Sequence, residues 1–264
     1  VTVTGETPVV DVQSSTRSQR VIDDEVVAAL PASRGYGNLL QTVAGIQATG
    51  AANSGANPVM NFFTSRGGRS NEGTVQIDGM NVGSAFNGGG VSSYGYDTAN
   101  AQEVQITVAG GLGETDRGGP QFNLVPKTGG NSFSGTVFAS TAGKWSQGDN
   151  LDEGLRAFGI TEVPAIIKNW DTSFALGGPI KRDKVWFFFS PRVWGASNYI
   201  LNQFFPDGSP ARDESLLQSY TTRITAQLSA KHKVTAVYDP LPKDRDYFLS
   251  ETGLYDLKGS AVQN

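Results

Sequence analysis

Hydrophobic and polar positions follow two different rhythms along the chain, and the change falls near Gly130. Before it, the apolar runs are short and punctuated. Val1–Gly5 (VTVTG) alternates β-branched residues up to Glu6-Thr7-Pro8, which makes it a short edge strand or an extended arm, and Val9–Val12 reads as a second short strand. The polar Ser14–Arg20 stretch can continue it only at a sheet edge. Asp23–Leu30 predicts a short helix: Asp23 as N-cap, Asp24 and Glu25 in the first turn, Pro31 as the stop. A second helix from about Ser33 to Gly45 carries Leu39, Leu40 and Val43, with Leu39 and Val43 on one face. Ala48–Pro58 is small, polar and glycine-punctuated, hence loop, and Val59–Thr64 reads as a strand. The strongest strand of this half is Ala101–Ala109, with Val104, Ile106 and Val108 facing one way and Glu103, Gln105 and Thr107 the other. Phe122–Val125 forms a short strand before a Lys127–Gly130 turn.

Beyond Gly130 the strands lengthen. Phe133–Thr141 alternates, Lys144–Asn169 is a polar loop with a short helix near Asp152–Phe158, and Trp170–Gly177 places Trp170, Thr172, Phe174 and Leu176 on one face. Val185–Trp194 (VWFFFSPRVW) puts Val185, Phe187, Phe189 and Val193 on one side, and Trp186, Phe188, Ser190, Arg192 and Trp194 on the other. In water the first face is an aggregation hazard unless buried; against lipid it is natural, with tryptophans near interface depth. Gly195–Ser219 is expected as a long loop, followed by a hairpin through Thr221–Ser229 and Val234–Asp239 around a tight basic turn. Short turns on one side and long loops on the other match the layout of an outer-membrane barrel. About five such strands cannot close a barrel, and an open edge facing hydrocarbon leaves backbone groups unpaired, so the expectation is an incomplete chain, the N-terminal part of a larger protein.

Composition narrows the function classes. Gly is 33 of 264 residues, above the ~7 % of ordinary chains, without the triplet period of collagen. The absence of cysteine removes disulfide scaffolds and thiolate metal sites, and the single histidine, His232, makes a histidine metal centre or a Ser-His-Asp triad a poor fit. Carboxylates at Asp149, Asp152 and Glu153 lack a calcium-loop spacing. No metal, no cofactor and no enzymatic activity are expected. A net charge of −4 with scattered lysines and arginines gives no footprint for nucleic acid. No apolar run approaches the ~18 residues of a helical membrane span, a limit that does not touch transmembrane strands.

Thr64–Val82 (TSRGGRSNEGTVQIDGMNV) is the element around which the first half is arranged. Arg66-Gly67-Gly68-Arg69 leads into a strand over Thr74–Ile77 and an Asp78-Gly79 turn, a compact two-arginine unit with little bulk around it. The glycine-rich loops lack the Gly-Lys-Ser/Thr of a phosphate loop. Aromatic residues in the loop over Ala85–Tyr96 (Phe86, Tyr94, Tyr96) and the charged Glu114, Asp116 and Arg117 in the Gly110–Gly119 loop are candidate substrate contacts.

In order along the chain, Leu30-Pro31, Val43-Ala44-Gly45-Ile46, Arg66-Gly67-Gly68-Arg69, Val75-Gln76-Ile77-Asp78-Gly79-Met80 and Glu103-Val104-Gln105-Ile106 resemble the plug domain of TonB-dependent outer-membrane receptors, in particular the Oar-like group. Gly118–Gly130 resembles the plug-to-barrel transition, with Pro120 and Pro126 arguing for a local change in strand pairing. Leu176-Gly177-Gly178-Pro179-Ile180 followed by Asp183-Lys184 and Trp186-Phe187-Phe188-Phe189 is similar to an early barrel hairpin of that group. The resemblance implies an α+β plug domain with an N-terminal arm over 1–130, then the first strands of an antiparallel transmembrane β-barrel over 131–264. It implies a protein of the Gram-negative outer membrane, in contact with its lipid, that imports an unknown extracellular substrate through a plugged barrel. A periplasmic TonB-type partner would supply the energy, contacting Val1, Thr2, Val3 and Thr4. Arg66, Gly67, Arg69, Asp78 and Gly79 would form the plug–barrel contact or gate, the arginines pairing with acidic groups on the barrel wall. Two alternatives stay open: a surface adhesion, assembly or secretion component on the same scaffold, and a soluble β-rich binding protein.

Overall fold

The structure is a computed structural model, and it describes residues 18–30, 34–49, 61–69, 72–83, 91–92, 96–109, 118–148, 151–159, 165–205, 207–248 and 261–263. The chain divides into two units, one comprising Val1–Asn53, Met60–Ser93 and Ala101–Pro126, the other Ser54–Val59, Tyr94–Asn100 and Lys127–Asn264. The expected strands at Val1–Gly5 and Val9–Val12 lie outside the described residues.

In the first unit, strand β1 (Ser18–Asp23) leads straight into helix α1 (Asp24–Ala29), where the Asp23 side chain accepts the Val26 N–H at 2.9 Å, as the capping pattern predicts. Helix α2 is shorter than expected, Tyr36–Gln41, because the Thr42 and Val43 amides turn back to the Leu39 and Leu40 carbonyls and close it. Val43 is nonetheless buried with Leu39 and Leu40. Strand β2 (Ile46–Thr49) replaces the start of the loop expected at Ala48; it pairs with β3 (Asn61–Ser65), which supplies ladder partners that local composition does not reveal. Strands β4 (Thr74–Ile77) and β5 (Met80–Asn81) form the expected hairpin, with positive φ of 51° at Asp78 and 77° at Gly79. A further short strand, β6 (Val91–Ser92), pairs with β3 inside the segment expected to be loop.

Strand β7 (Ala101–Ala109) has the expected bounds, and β8 is Gln121–Pro126. The five-stranded sheet runs β1-β7-β8-β4-β5, antiparallel except where β8 pairs parallel with β4. On β8 that parallel pair occupies Gln121 to Leu124. The core is conventionally apolar: Leu39, Leu40, Phe63, Val104, Ile106, Phe122 and Leu124 are essentially inaccessible. Full burial of each such side chain is worth ~1.5–3 kcal/mol.

The second unit is a meander of long antiparallel strands: β9 (Ser134–Ala142), β10 (Ile166–Lys181), β11 (Val185–Phe204), β12 (Pro210–Ser229), β13 (His232–Tyr238), β14 (Lys243–Phe248) and β15 (Ala261–Gln263). A single-turn helix α3 (Glu153–Ala157), capped by Asp152, sits where the short helix is expected. The long loop expected over Gly195–Ser219 does not exist. β11 and β12 pair continuously from Val185↔Ala226 to Tyr199↔Arg212 and turn over in the few residues around Phe205–Ser209. Polar, glycine-containing sequence reads as loop locally, yet twenty-residue strands extend it through partner hydrogen bonds, well past the ~9–11 residues a membrane-spanning strand needs. β13 and β14 both pair with β12, interrupted at Asp239-Pro240-Leu241-Pro242, where proline cannot donate. Among the described residues no helix is long and apolar enough to cross a membrane.

The faces of this sheet are inverted relative to a water-soluble one. Phe188, Ser190, Arg192 and Trp194 of β11 and Ser219, Thr221, Arg223 and Thr225 of β12 are buried. Turned the other way are Val137, Phe174, Leu176, Ile224, Val234 and Tyr238, all exposed, together with the partly exposed Phe187, Phe189 and Val193. Outward apolar and inward polar is the alternation of a strand that meets lipid.

The connector Lys127–Phe133 is seated on the β10–β11 turn. Asn131 accepts from the Asp183 amide at 2.9 Å and from Trp186 Nε1 at 2.7 Å, and donates to the Asp183 carboxylate. A Cβ at Gly129 would collide with the Phe187 carbonyl, so only glycine fits there.

Candidate functional site

The buried polar cluster of the second unit is built on a turn that precedes β7. Asp97-Thr98-Ala99-Asn100 forms one 3-10 turn because Asp97 Oδ1 accepts the Ala99 N–H at 3.0 Å and the Asn100 N–H bonds to the Asp97 carbonyl at 3.0 Å. Asn100 then donates through Nδ2 to Ser190 Oγ on β11, while its carbonyl accepts the Lys127 N–H at 2.8 Å. Two residues along the same face of β11, Arg192 reaches β10: Nε to Asp171 Oδ1 at 3.0 Å and Nη2 to Asp171 Oδ2 at 2.7 Å, a two-pronged guanidinium–carboxylate pair. Its Nη1 lies 3.9 Å from Asp97 Oδ1, and its guanidinium stacks 4.2 Å from the Trp194 ring centroid.

Arg192 and Asp97 are 3 % and 2 % exposed and Asp171 16 %, so these charges are desolvated and depend on one another. Chemically the arrangement binds and positions: it fixes a polar turn against the polar face of a strand wall. It holds no nucleophile–base pair, and among the described residues no group of His, Asp or Glu is placed to hold a metal ion.

The sequence-predicted residues fall elsewhere. Arg66 (φ 51°), Gly67 and Arg69 are exposed on the turn after β3, and among the described residues neither arginine has an ion-pair partner. Asp78 and Gly79 are exposed at the β4–β5 turn, where the Asp78 amide bonds to the Leu124 carbonyl and the Gly79 amide to Asn123 Oδ1, both at 3.0 Å. Tyr96 is buried rather than displayed on a loop. Phe86, Tyr94, Glu114, Asp116, Arg117 and Val1, Thr2, Val3 and Thr4 lie outside the described residues. Arg192 on β11 instead meets Asp171 on the neighbouring strand β10 at 2.7 Å and the turn residue Asp97 at 3.9 Å. Sequence reasoning passed over Asp97, Asn100 and Asp171. The signals were a capping-type Asp just before the best strand and an arginine at membrane depth in β11, where a charge must face inward.

A plug-type α+β unit followed by a meander with an outward apolar face defines the class: a plugged outer-membrane β-barrel protein, represented here by its plug and first barrel strands. Residues 11–119 match the family model "TonB-dependent Receptor Plug Domain". The turn 97–100 therefore lies within the matched range while grouping with the strands of the second unit. The chain is 30 % identical over 203 residues to the TonB-dependent transporter Oar of Myxococcus xanthus, covering 72 % of this chain and 18 % of that protein. Its fold is similar to the siderophore receptor PirA from Acinetobacter baumannii (TM-score 0.63, 16 % identity, 87 % of this chain and 32 % of that one). It is also similar to the outer membrane transporter YddB from Escherichia coli (TM-score 0.63, 14 % identity, 87 % and 33 %). The chain belongs to the TonB-dependent receptors, proteins of the Gram-negative outer membrane. It spans about a fifth of the length of the curated relative and about a third of the solved structures.

Proposed function

We propose that the whole protein is an active-transport receptor that binds a substrate outside the cell and imports it through its plugged barrel, energised by a periplasmic TonB-type partner. The observation that carries this reading is the continuity of the family-matched range with a meander whose outward face is apolar and whose inward face buries charge. In this reading residues 1–130 are the plug with its arm, 131–264 begin the barrel, and Val1, Thr2, Val3 and Thr4 meet the energy-coupling partner. Arg66, Gly67, Arg69, Asp78 and Gly79 form a gate that moves, because they sit exposed on turns with little bulk around them. Asp97 and Asn100 are the fixed counterpart, since a carboxylate this deeply buried beside Arg192 separates only at a cost of several kcal/mol and Asn100 is tied to Ser190. The receptor itself carries out no covalent chemistry, so there is no enzymatic step. A ferric siderophore fits the solved structures of similar fold, of which two hold enterobactin.

The test is accumulation of labelled ferric siderophores, oligosaccharides and peptides by cells carrying the full-length receptor, with and without a protonophore. Uptake of at least one of them should collapse with the protonophore. Energy-independent behaviour towards all of them, with cell-surface adhesion retained, would contradict the reading in favour of an adhesion or assembly role.

A further inference from the structure

Two gaps in the hydrogen-bond ladders of the meander fall on one line. Between β10 and β11 the register runs from Ser173↔Arg192 to Leu176↔Phe189 without slipping, yet among the described residues Phe174 and Ala175 have no ladder partner in β11. Opposite them stand Pro191 and Ser190, and Pro191 has no N–H to return to β10. On its other side Pro191 is opposite Tyr220 of β12. The second gap lies beyond β12. Thr222 pairs with Tyr238 and Leu217 with Lys243, with as many residues between them on one strand as on the other, so Pro240 faces Tyr220 and Pro242 faces Gln218. The Gln218 N–H reaches the Pro242 carbonyl at 3.0 Å, but neither proline returns a donor. Phe174, Pro191, Tyr220 and Pro240 therefore mark a line across neighbouring strands, with the ladder open on either side of the β11–β12 pair.

Side chains hold the wall where the ladder does not. Across the β12 gap the buried Ser219 donates to Asp239 Oδ1 at 2.9 Å, and the Tyr220 carbonyl accepts from Thr222 Oγ1 at 3.2 Å. At the β10–β11 gap the support comes from the inner face. Arg192 grips Asp171 just above the line, and the turn 97–100 spans it, with Asp97 at Arg192 and Asn100 at Ser190. A ladder bond is lost only by parting two strands, whereas these bonds are released when a single side chain or turn moves away. The line also falls where the outward face changes. Below it the outward side chains include Leu176, Phe187, Phe189 and Ile224; above it they include Thr172, Gln218, Lys168 and Glu214. Lipid holds the lower strands, and the upper ends of β10, β11 and β12 stand clear of it.

We propose that this line is a hinge in the barrel wall and that the turn 97–100 is its latch. With Asp97 and Asn100 seated on Arg192 and Ser190, the upper ends of β10, β11 and β12 are held in line with the lower strands. When the turn leaves, they tilt about Phe174, Pro191, Tyr220 and Pro240. The turn lies within the range matched to the plug family, so its movement is passed to the wall above the membrane, and a tilt of that wall loosens the turn in return. The hinge rests on the strand registers and the buried cluster and not on the transport reading, so loss of that reading would leave it standing.

The test is double electron–electron resonance on the full-length receptor in lipid nanodiscs. One nitroxide is placed at Tyr199, above the line, or at Leu228, below it, both exposed positions, and the second on the far wall of the barrel. Asp97→Asn should broaden the Tyr199 distance distribution about twofold and leave the Leu228 distribution unchanged. Adding Pro191→Val and Pro240→Val, which gives both gaps an N–H, should return the Asp97→Asn distribution to its original width. Should Asp97→Asn fail to assemble, Asn100→Ala, which removes the bond to Ser190, carries the same comparison. Equal broadening at the two labels, unchanged widths in both latch variants, or broadening that survives the two valines would overturn the inference.

Discussion

The two units solve the burial problem in opposite senses. The first hides Leu39, Leu40, Phe63, Ile106 and Phe122 and leaves charge outside, as a domain surrounded by water must. The second buries Arg192, Arg223, Ser190 and Thr221 and shows Val137, Leu176 and Ile224 to its surroundings. The same alternation of polar and apolar residues serves both; the solvent on each face decides which set turns inward.

Equivalent disruptions should therefore come from opposite chemistry. Phe122→Ala leaves a cavity in the first unit and should cost ~3–5 kcal/mol in chemical denaturation of the full receptor. In the second unit the matching loss should come from removing a charge: Arg192→Met strands Asp97 and Asp171 without their cation, again ~3–5 kcal/mol. If Arg192→Met is neutral, the polar cluster does not hold the wall together. Arginine placed outward should be nearly as harmful. Phe189→Arg, in the apolar band, should cost ~2–4 kcal/mol of barrel stability in lipid, although arginine is native on the opposite face. Asn100→Ala removes the bond to Ser190 and should cost ~1–3 kcal/mol, visible as faster amide exchange in residues 97–100.

The smallest effect belongs to the β11–β12 turn, far from either core. The Ser209 hydroxyl and amide bond to Asp207 Oδ1 at 2.6 and 2.9 Å and hold that carboxyl below its ordinary value of 3.8. A lowered value means that the stabilisation is fully present above the ordinary value and disappears as pH falls through the folded one. Ser209 amide exchange should rise in that acid window, and Asp207→Asn should abolish the pH response.

Much of this was legible in the chain. The β4–β5 turn, β7, the Asp23 cap and the two faces of β11 were readable because each is dictated locally, by a turn pair, a capping side chain or strict alternation. Residues 195–219 were misread because their strand character comes from a partner strand and not from their own composition. The same holds for β2 and β6, whose partner is β3. The Asp97–Arg192–Asp171 cluster was hidden for a related reason: its members come from three distant segments, and only the strand register brings them together. The direction in which Arg192 points follows from alternation alone, but a partner for it does not.

The central claim, that the sheet of the second unit faces lipid with its apolar side, is most directly tested on β11. The chain contains no cysteine, which suits a cysteine scan over residues 185–194 in the full-length receptor, with any cysteines elsewhere removed. A lipid-soluble quencher acting on a fluorophore at each position should give a period of two. Quenching is expected at 185, 187, 189, 191 and 193 and protection at 188, 190, 192 and 194. Quenching of the even positions instead, or a uniform response along the strand, would contradict the account.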